Sequence, residues 1–209
     1  MRHIVLLGDS IFDNASYVAP GQSVSELLSG FVGDDTRVTL LAVDGAVSSD
    51  VHRQLDSLPT DATHVFLSCG GNDALQHIDT LAMPVDSIAG AMAVFATIRA
   101  SFRDDYRAVL DHARSLHPGL AVCTVYDSVP DIGAPALTAL AFFNEIILKE
   151  AARNGIPILD LRVLFDDPAD YSEVSSIEPS GQGAMKLARL ILRVVDGHDH
   201  DGNGSRIYC

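Results

Sequence analysis

A chain of 209 residues can enclose one sizeable apolar core, and with 47% hydrophobic and 20% charged residues it is too apolar to be disordered. A formal net charge of -14 repels a phosphate backbone, and no Lys/Arg stripe with interleaved aromatics offsets it, which argues against nucleic acid and anionic membrane as partners. No apolar run approaches the ~20 residues that cross a bilayer, and residues 1–8 are too short a run for a signal peptide, so a cytoplasmic protein without membrane insertion is expected.

Strand-length apolar runs and segments of helical periodicity alternate along the chain. A strand at 3–7 precedes a helix at 23–32, and a strand at 37–43 precedes a helix at 48–58. A strand at 64–68 leads to a long helical stretch from about 85 to 116, a strand at 120–126 to a helix at 136–154, and a strand at 156–161 to a helix at 181–195. The last helix has a clear start: Pro179 and Ser180 precede a face made by Ala184, Leu187, Ala188, Ile191 and Val195. The pattern predicts a three-layer α/β/α sandwich around a mainly parallel five-stranded sheet, with one domain over 1–195 and an acidic Gly/His-containing tail over 196–209.

Ligands of such sheets bind beyond the carboxyl ends of the strands. Three successive predicted strand ends carry glycine beside polar residues: Gly8-Asp9-Ser10, Asp44-Gly45-Ala46 and Gly70-Gly71-Asn72-Asp73. Singly, each reads as an ordinary turn. Together they place a serine hydroxyl, a backbone N–H at Gly45 and the Asn72 amide where an oxyanion could be held.

With these three blocks in this order, residues 3–195 resemble the SGNH hydrolases, the GDSL-type esterases and lipases. The resemblance implies a flavodoxin-like sandwich, Ser10 as nucleophile, and an oxyanion hole from the N–H groups of Ser10 and Gly45 and the Asn72 side chain. The family's fourth block, Asp-x-x-His before Pro-Ser, aligns with Ser175-Ser176-Ile177-Glu178-Pro179-Ser180. Glu178 thus stands where the catalytic histidine is expected, and Ser175 where its aspartate is expected.

A serine hydroxyl needs a base during attack. An ordinary glutamate is about two pKa units less basic than imidazole, a handicap of roughly 3 kcal/mol that burial could reduce. Three readings stay open: Glu178 is the base; His77, beyond the third strand, replaces it; or the fold binds a ligand without cleaving it. A phosphate-binding flavodoxin-like protein is a weaker fourth, because no helix begins directly after Ser10.

Asp13 and Asn14 follow Ser10 closely enough to line a pocket and could equally cap the next turn, while Asp9 and Asp73 are expected to order the loops around Ser10 and Asn72. His112 and His117 are expected to be structural, near a helix C-terminus. Cys69, Cys123 and Cys209 form no CxxC pattern, and two lie in apolar runs. His198 and His200 with Asp196, Asp199 and Asp201 resemble metal ligands but lack the EF-hand spacing, so a solvated tail and no metal or cofactor are expected. The expected activity is hydrolysis of a small-molecule ester, with a small acyl group.

Overall fold

The computed structural model describes residues 1–197 and 204–209. Along the chain run β1 (Arg2–Gly8), α1 (Val24–Phe31), β2 (Thr36–Leu40), α2 (Val51–Leu55), β3 (His64–Ser68), α3 (Gly71–Leu75) and α4 (Ile88–Leu116). There follow β4 (Leu120–Cys123), α5 (Ala134–Arg153), β5 (Ile158–Leu159), α6 (Leu161–Leu164), α7 (Gly181–Gly197) and β6 (Ile207–Tyr208). The strands lie in the order β2-β1-β3-β4-β5-β6. Every pairing is parallel.

Alternation along the strands divides the apolar side chains between two cores. Ile4, Leu6 and Phe66 pack with Val24 and Leu28 of α1 and Leu187 and Ile191 of α7. Val5, Leu7 and Leu67 pack on the other face with Val51 and Leu55 of α2, Val109 of α4 and Ile147 of α5. Strands apolar on both faces thus specify the three layers. The start of α1 is set by a capping box: Ser23 accepts from the Glu26 N–H, and Glu26 accepts from the Ser23 N–H.

Among the described residues the sheet has six strands rather than the five expected. The sixth lies within 196–209, where Ile207 and Tyr208 are too few to show a period-2 pattern. They are nevertheless held against the edge of β5, the Ile158 N–H donating to the Arg206 carbonyl and the Asp160 N–H to the Tyr208 carbonyl, at 2.9 and 2.8 Å. This pairing covers an otherwise open strand edge. His198, Asp199, His200 and Asp201 lie outside the described residues, and Asp196 is paired with Arg2.

Strands β2 and β4 end earlier than the apolar runs that announce them; past β2 the Leu41 and Ala42 N–H groups both donate to the Leu6 carbonyl (2.8 and 2.9 Å) and the Val43 N–H to the Gly8 carbonyl (3.0 Å), out of regular ladder register. After β4, the Val125 N–H donates to Asn144 Oδ1 (2.8 Å) and Thr124 Oγ1 to Asp160 Oδ1 (2.9 Å). Both bonds fix the chain at the carboxyl edge of the sheet. Among the described residues no helix is long and apolar enough to cross a membrane.

Candidate active site

Ser10 owes its position to Gly8 and to a residue of α2. Gly8 has φ +119°, and a Cβ there would lie 1.7 Å from the Ser68 carbonyl oxygen, so only glycine lets β1 and β3 approach at this point. Gln54 brackets the same residue: its Nε2 donates to the Gly8 carbonyl (2.8 Å), and its Oε1 accepts from the Gly8 N–H (2.7 Å). Sequence reasoning missed Gln54. The available signal was a polar residue between Val51 and Leu55 on the buried face of a helix.

Asp9 shapes the next step of the loop. Its Oδ1 accepts from the Ile11 N–H (3.2 Å) and Ser68 Oγ (3.1 Å), and its backbone carbonyl accepts from the Phe12 and Asp13 N–H groups. Burial pushes its carboxyl up to about 7, with the negative charge of Glu178 a smaller contribution.

The hydroxyl of Ser10 donates to Oε1 of Glu178 at 3.1 Å. Glu178 is 5% exposed, and its second oxygen, Oε2, is buried without a hydrogen-bond partner. Burial pushes this carboxyl up to about 7; the Ser10 hydrogen bond opposes the shift, and the charge of Asp44 adds to it.

Residues 171–180 grip Glu178 from both sides. Its carbonyl accepts from the Ser172 N–H (2.8 Å), and its own N–H donates to the Ser175 carbonyl (3.0 Å). The preceding carbonyl, Ile177, accepts from the Tyr126 hydroxyl, and the following one, Pro179, accepts from Asn14 Nδ2 (3.2 Å). Asn14 Oδ1 also accepts from the Val24 N–H at the start of α1 (2.9 Å). Asn14 is therefore fully buried, bracing the Glu178 segment rather than lining the cavity. The Asn14 and Tyr126 contacts join residues far apart in sequence and carry no local signal.

The second and third strand ends are tied together. Asn72 Nδ2 donates to the Ala46 carbonyl (3.0 Å), and both carboxylate oxygens of Asp73 accept from the Ser48 N–H (3.2 and 3.1 Å). Gly45, at φ +78°, makes the turn that precedes Ala46. Asp13 Oδ2 accepts from the Asp44 N–H (3.0 Å), and Tyr17 donates to Asp44 (2.7 Å).

Asp9, Ser10, Asn72, His77 and Glu178 line a common cavity of about 100 Å³. Gly45 lines a neighbouring groove with Asp44 and Ala46. His77 is exposed, while the Ser10 hydroxyl is directed to Glu178. Elsewhere, His112 Nδ1 meets His52 Nδ1 at 2.9 Å, and His117 bonds the Ala62 carbonyl and the Gly119 N–H. The three cysteines are free. Among the described residues no group of three or more His, Cys, Asp or Glu side chains could hold a metal ion.

The model of the GDSL-like lipase/acylhydrolase family matches residues 6–185. The chain belongs to that family. In general terms it is an ester-hydrolysing enzyme. Among solved structures, an extracellular lipase from Streptomyces rimosus is 23% identical, with a TM-score of 0.65 over 95% of this chain and 100% of that one. A lipase/acylhydrolase from Enterococcus faecalis is 21% identical, with a TM-score of 0.66 over 94% and 96%. A variant of an acetyl xylan esterase from Geobacillus stearothermophilus is 18% identical, with a TM-score of 0.65 over 92% and 93%. These likenesses establish the sandwich fold. A comparison with curated proteins gave no match.

Proposed function

We propose that this GDSL-family chain is a serine-dependent hydrolase of small-molecule carboxylic esters in which Glu178 activates Ser10 directly, without a histidine between them. The observation that carries the reading is the 3.1 Å hydrogen bond from Ser10 Oγ to Glu178 Oε1. An acceptor at that distance is within reach of the proton it must take.

Ser10 Oγ attacks the ester carbonyl while its proton passes to Glu178. The carbonyl oxygen becomes an oxyanion, for which the N–H groups of Ser10 and Gly45 and the Asn72 amide are the donors in this reading. The intermediate collapses, breaking the bond to the alcohol, and Glu178 returns the proton to the departing oxygen. Water then attacks the acyl-serine by the same route in reverse, Glu178 taking its proton and passing it to Ser10 as the carboxylic acid leaves.

The handicap of a carboxylate base is its low basicity, and burial reduces it. At about 7, Glu178 is at least as basic as an ordinary imidazole. Its clamped backbone offers the orientation that an aspartate supplies to a histidine in a triad. The exposed position of His77 favours Glu178 over it as the base.

The test compares hydrolysis of p-nitrophenyl acetate by the wild type and Ser10→Ala, with mass spectrometry of the peptide labelled by a fluorophosphonate. Loss of turnover in the variant and a label on Ser10 are expected. An unlabelled Ser10 together with undiminished turnover in Ser10→Ala removes the serine mechanism, and no turnover of any ester by the wild type favours the ligand-binding alternative.

A further inference from the structure

Helices α4 and α5 are longer than the sheet they cover. The 29 residues of α4 extend roughly 44 Å at the usual helical rise, yet its buried side chains begin only at Phe102. In α5 they begin at Phe143. The first halves of both helices therefore overhang the carboxyl edge of the sheet, on the side where Ser10 emerges.

The overhang is not polar on its inner side. Phe95 and Ile98, one turn apart on α4, face the cavity beside Ser10, as do Ala136 and Leu140 on one stripe of α5. The short α3 and the turn after it close the cavity with Leu75, Ile78 and Leu81. Apart from the residues around Ser10, and His77, the lining is apolar; Tyr126 spends its hydroxyl on the Ile177 carbonyl. Among the described residues no lysine or arginine reaches the cavity wall.

These apolar side chains are not packed as a finished core. Leu75, Ile78 and Leu81 remain 37%, 45% and 36% exposed although they border the cavity. A wall that faces both a cavity and water gains burial when an apolar chain fills the space beside it.

We infer that the cavity formed by the overhanging halves of α4 and α5 with α3 holds the acyl chain of the substrate, and that this chain is apolar and well beyond acetyl in length. The inference rests on the reading of Ser10 as nucleophile, since that places the acyl carbonyl at the cavity's polar rim. It replaces the small acyl group expected from the sequence.

The experiment has a kinetic and a binding arm. In the first, kcat/KM is measured for p-nitrophenyl acetate and p-nitrophenyl octanoate with the wild type, Ala136→Phe and Ala139→Phe. Each methylene drawn from water favours binding up to about fourfold, so the wild type should prefer octanoate by at least about tenfold. Either phenylalanine, placed in the cavity wall, should reduce that ratio toward one while circular dichroism reports an intact fold.

In the second arm, Ser10→Ala is titrated calorimetrically with the same two esters. Octanoate should bind at least about tenfold more tightly than acetate. Equal binding, or a wild type that hydrolyses acetate as well as octanoate, overturns the acyl-chain inference while leaving the serine mechanism standing. An unlabelled Ser10 in an inert wild type defeats the mechanism instead, and the binding arm still decides what the cavity accepts, including when the phenylalanine variants do not fold.

Discussion

The Ser10 hydroxyl donates straight to Oε1 of Glu178 across 3.1 Å, while Oε2 of the same carboxyl is buried with no partner. A carboxylate in that position is held by one hydrogen bond where it could accept several, so its charge is poorly compensated. The consequence is a base more willing to take a proton than an exposed glutamate. Poor solvation thus serves reactivity at the expense of stability.

Glu178→Gln should therefore abolish most activity and stabilise the fold. General-base catalysis is commonly worth 10²–10⁴, so a loss of roughly 10³-fold in kcat is expected. The stability effect has a definite sign. The native protein holds a proton on Glu178 up to about 7, whereas the unfolded chain releases it near 4.5. Wild-type stability therefore falls as pH rises through that window, by on the order of 3 kcal/mol, and the glutamine variant lacks this contribution. Thermal melts should show the variant gaining on the wild type from about pH 4.5 to 7, with the gap constant above. A gap that closes as pH rises contradicts the burial argument.

His77→Ala separates the two candidate bases. It should keep most of the turnover and the same dependence on pH, because His77 stands exposed at the cavity while Ser10 bonds Glu178. Loss of the pH dependence on steady-state assay transfers the role of base to His77.

Asn14→Ala tests the clamp on the base. It leaves the Pro179 carbonyl and the Val24 N–H without their partner in a fully buried place, at an expected cost of about 1–3 kcal/mol by chemical denaturation. Because Asn14 acts through the Glu178 segment, kcat should fall more than KM changes. An unchanged kcat in a destabilised but folded variant makes Asn14 structural only.

The features legible in the sequence are those imposed locally. Gly8 and Gly45 mark places where the backbone must take positive φ, and the run from Gly70 to Asp73 closes β3 into a short helix. Pro179 and Ser180 locate the start of α7, and with it Glu178. The sixth strand was not legible, since Ile207 and Tyr208 become a strand only when the edge of β5 is beside them. Nor was the overhang of α4: its periodicity announces a long helix, but not that the sheet ends partway along it. The Asn14–Pro179 and Gln54–Gly8 bonds are tertiary, and a single sequence gives an amide no partner.

The most direct test of the Ser10–Glu178 pairing is the rate at which a fluorophosphonate labels Ser10 between about pH 5 and pH 9, in the wild type and in Glu178→Gln. Below its pKa Glu178 already carries a proton and cannot accept that of Ser10. The wild-type rate should therefore climb through about pH 7 and level off above it. The glutamine variant should label at least about a hundredfold more slowly, with that rise absent. Labelling of Glu178→Gln at the wild-type rate, with the same pH profile, would contradict the assignment of Glu178 as the base.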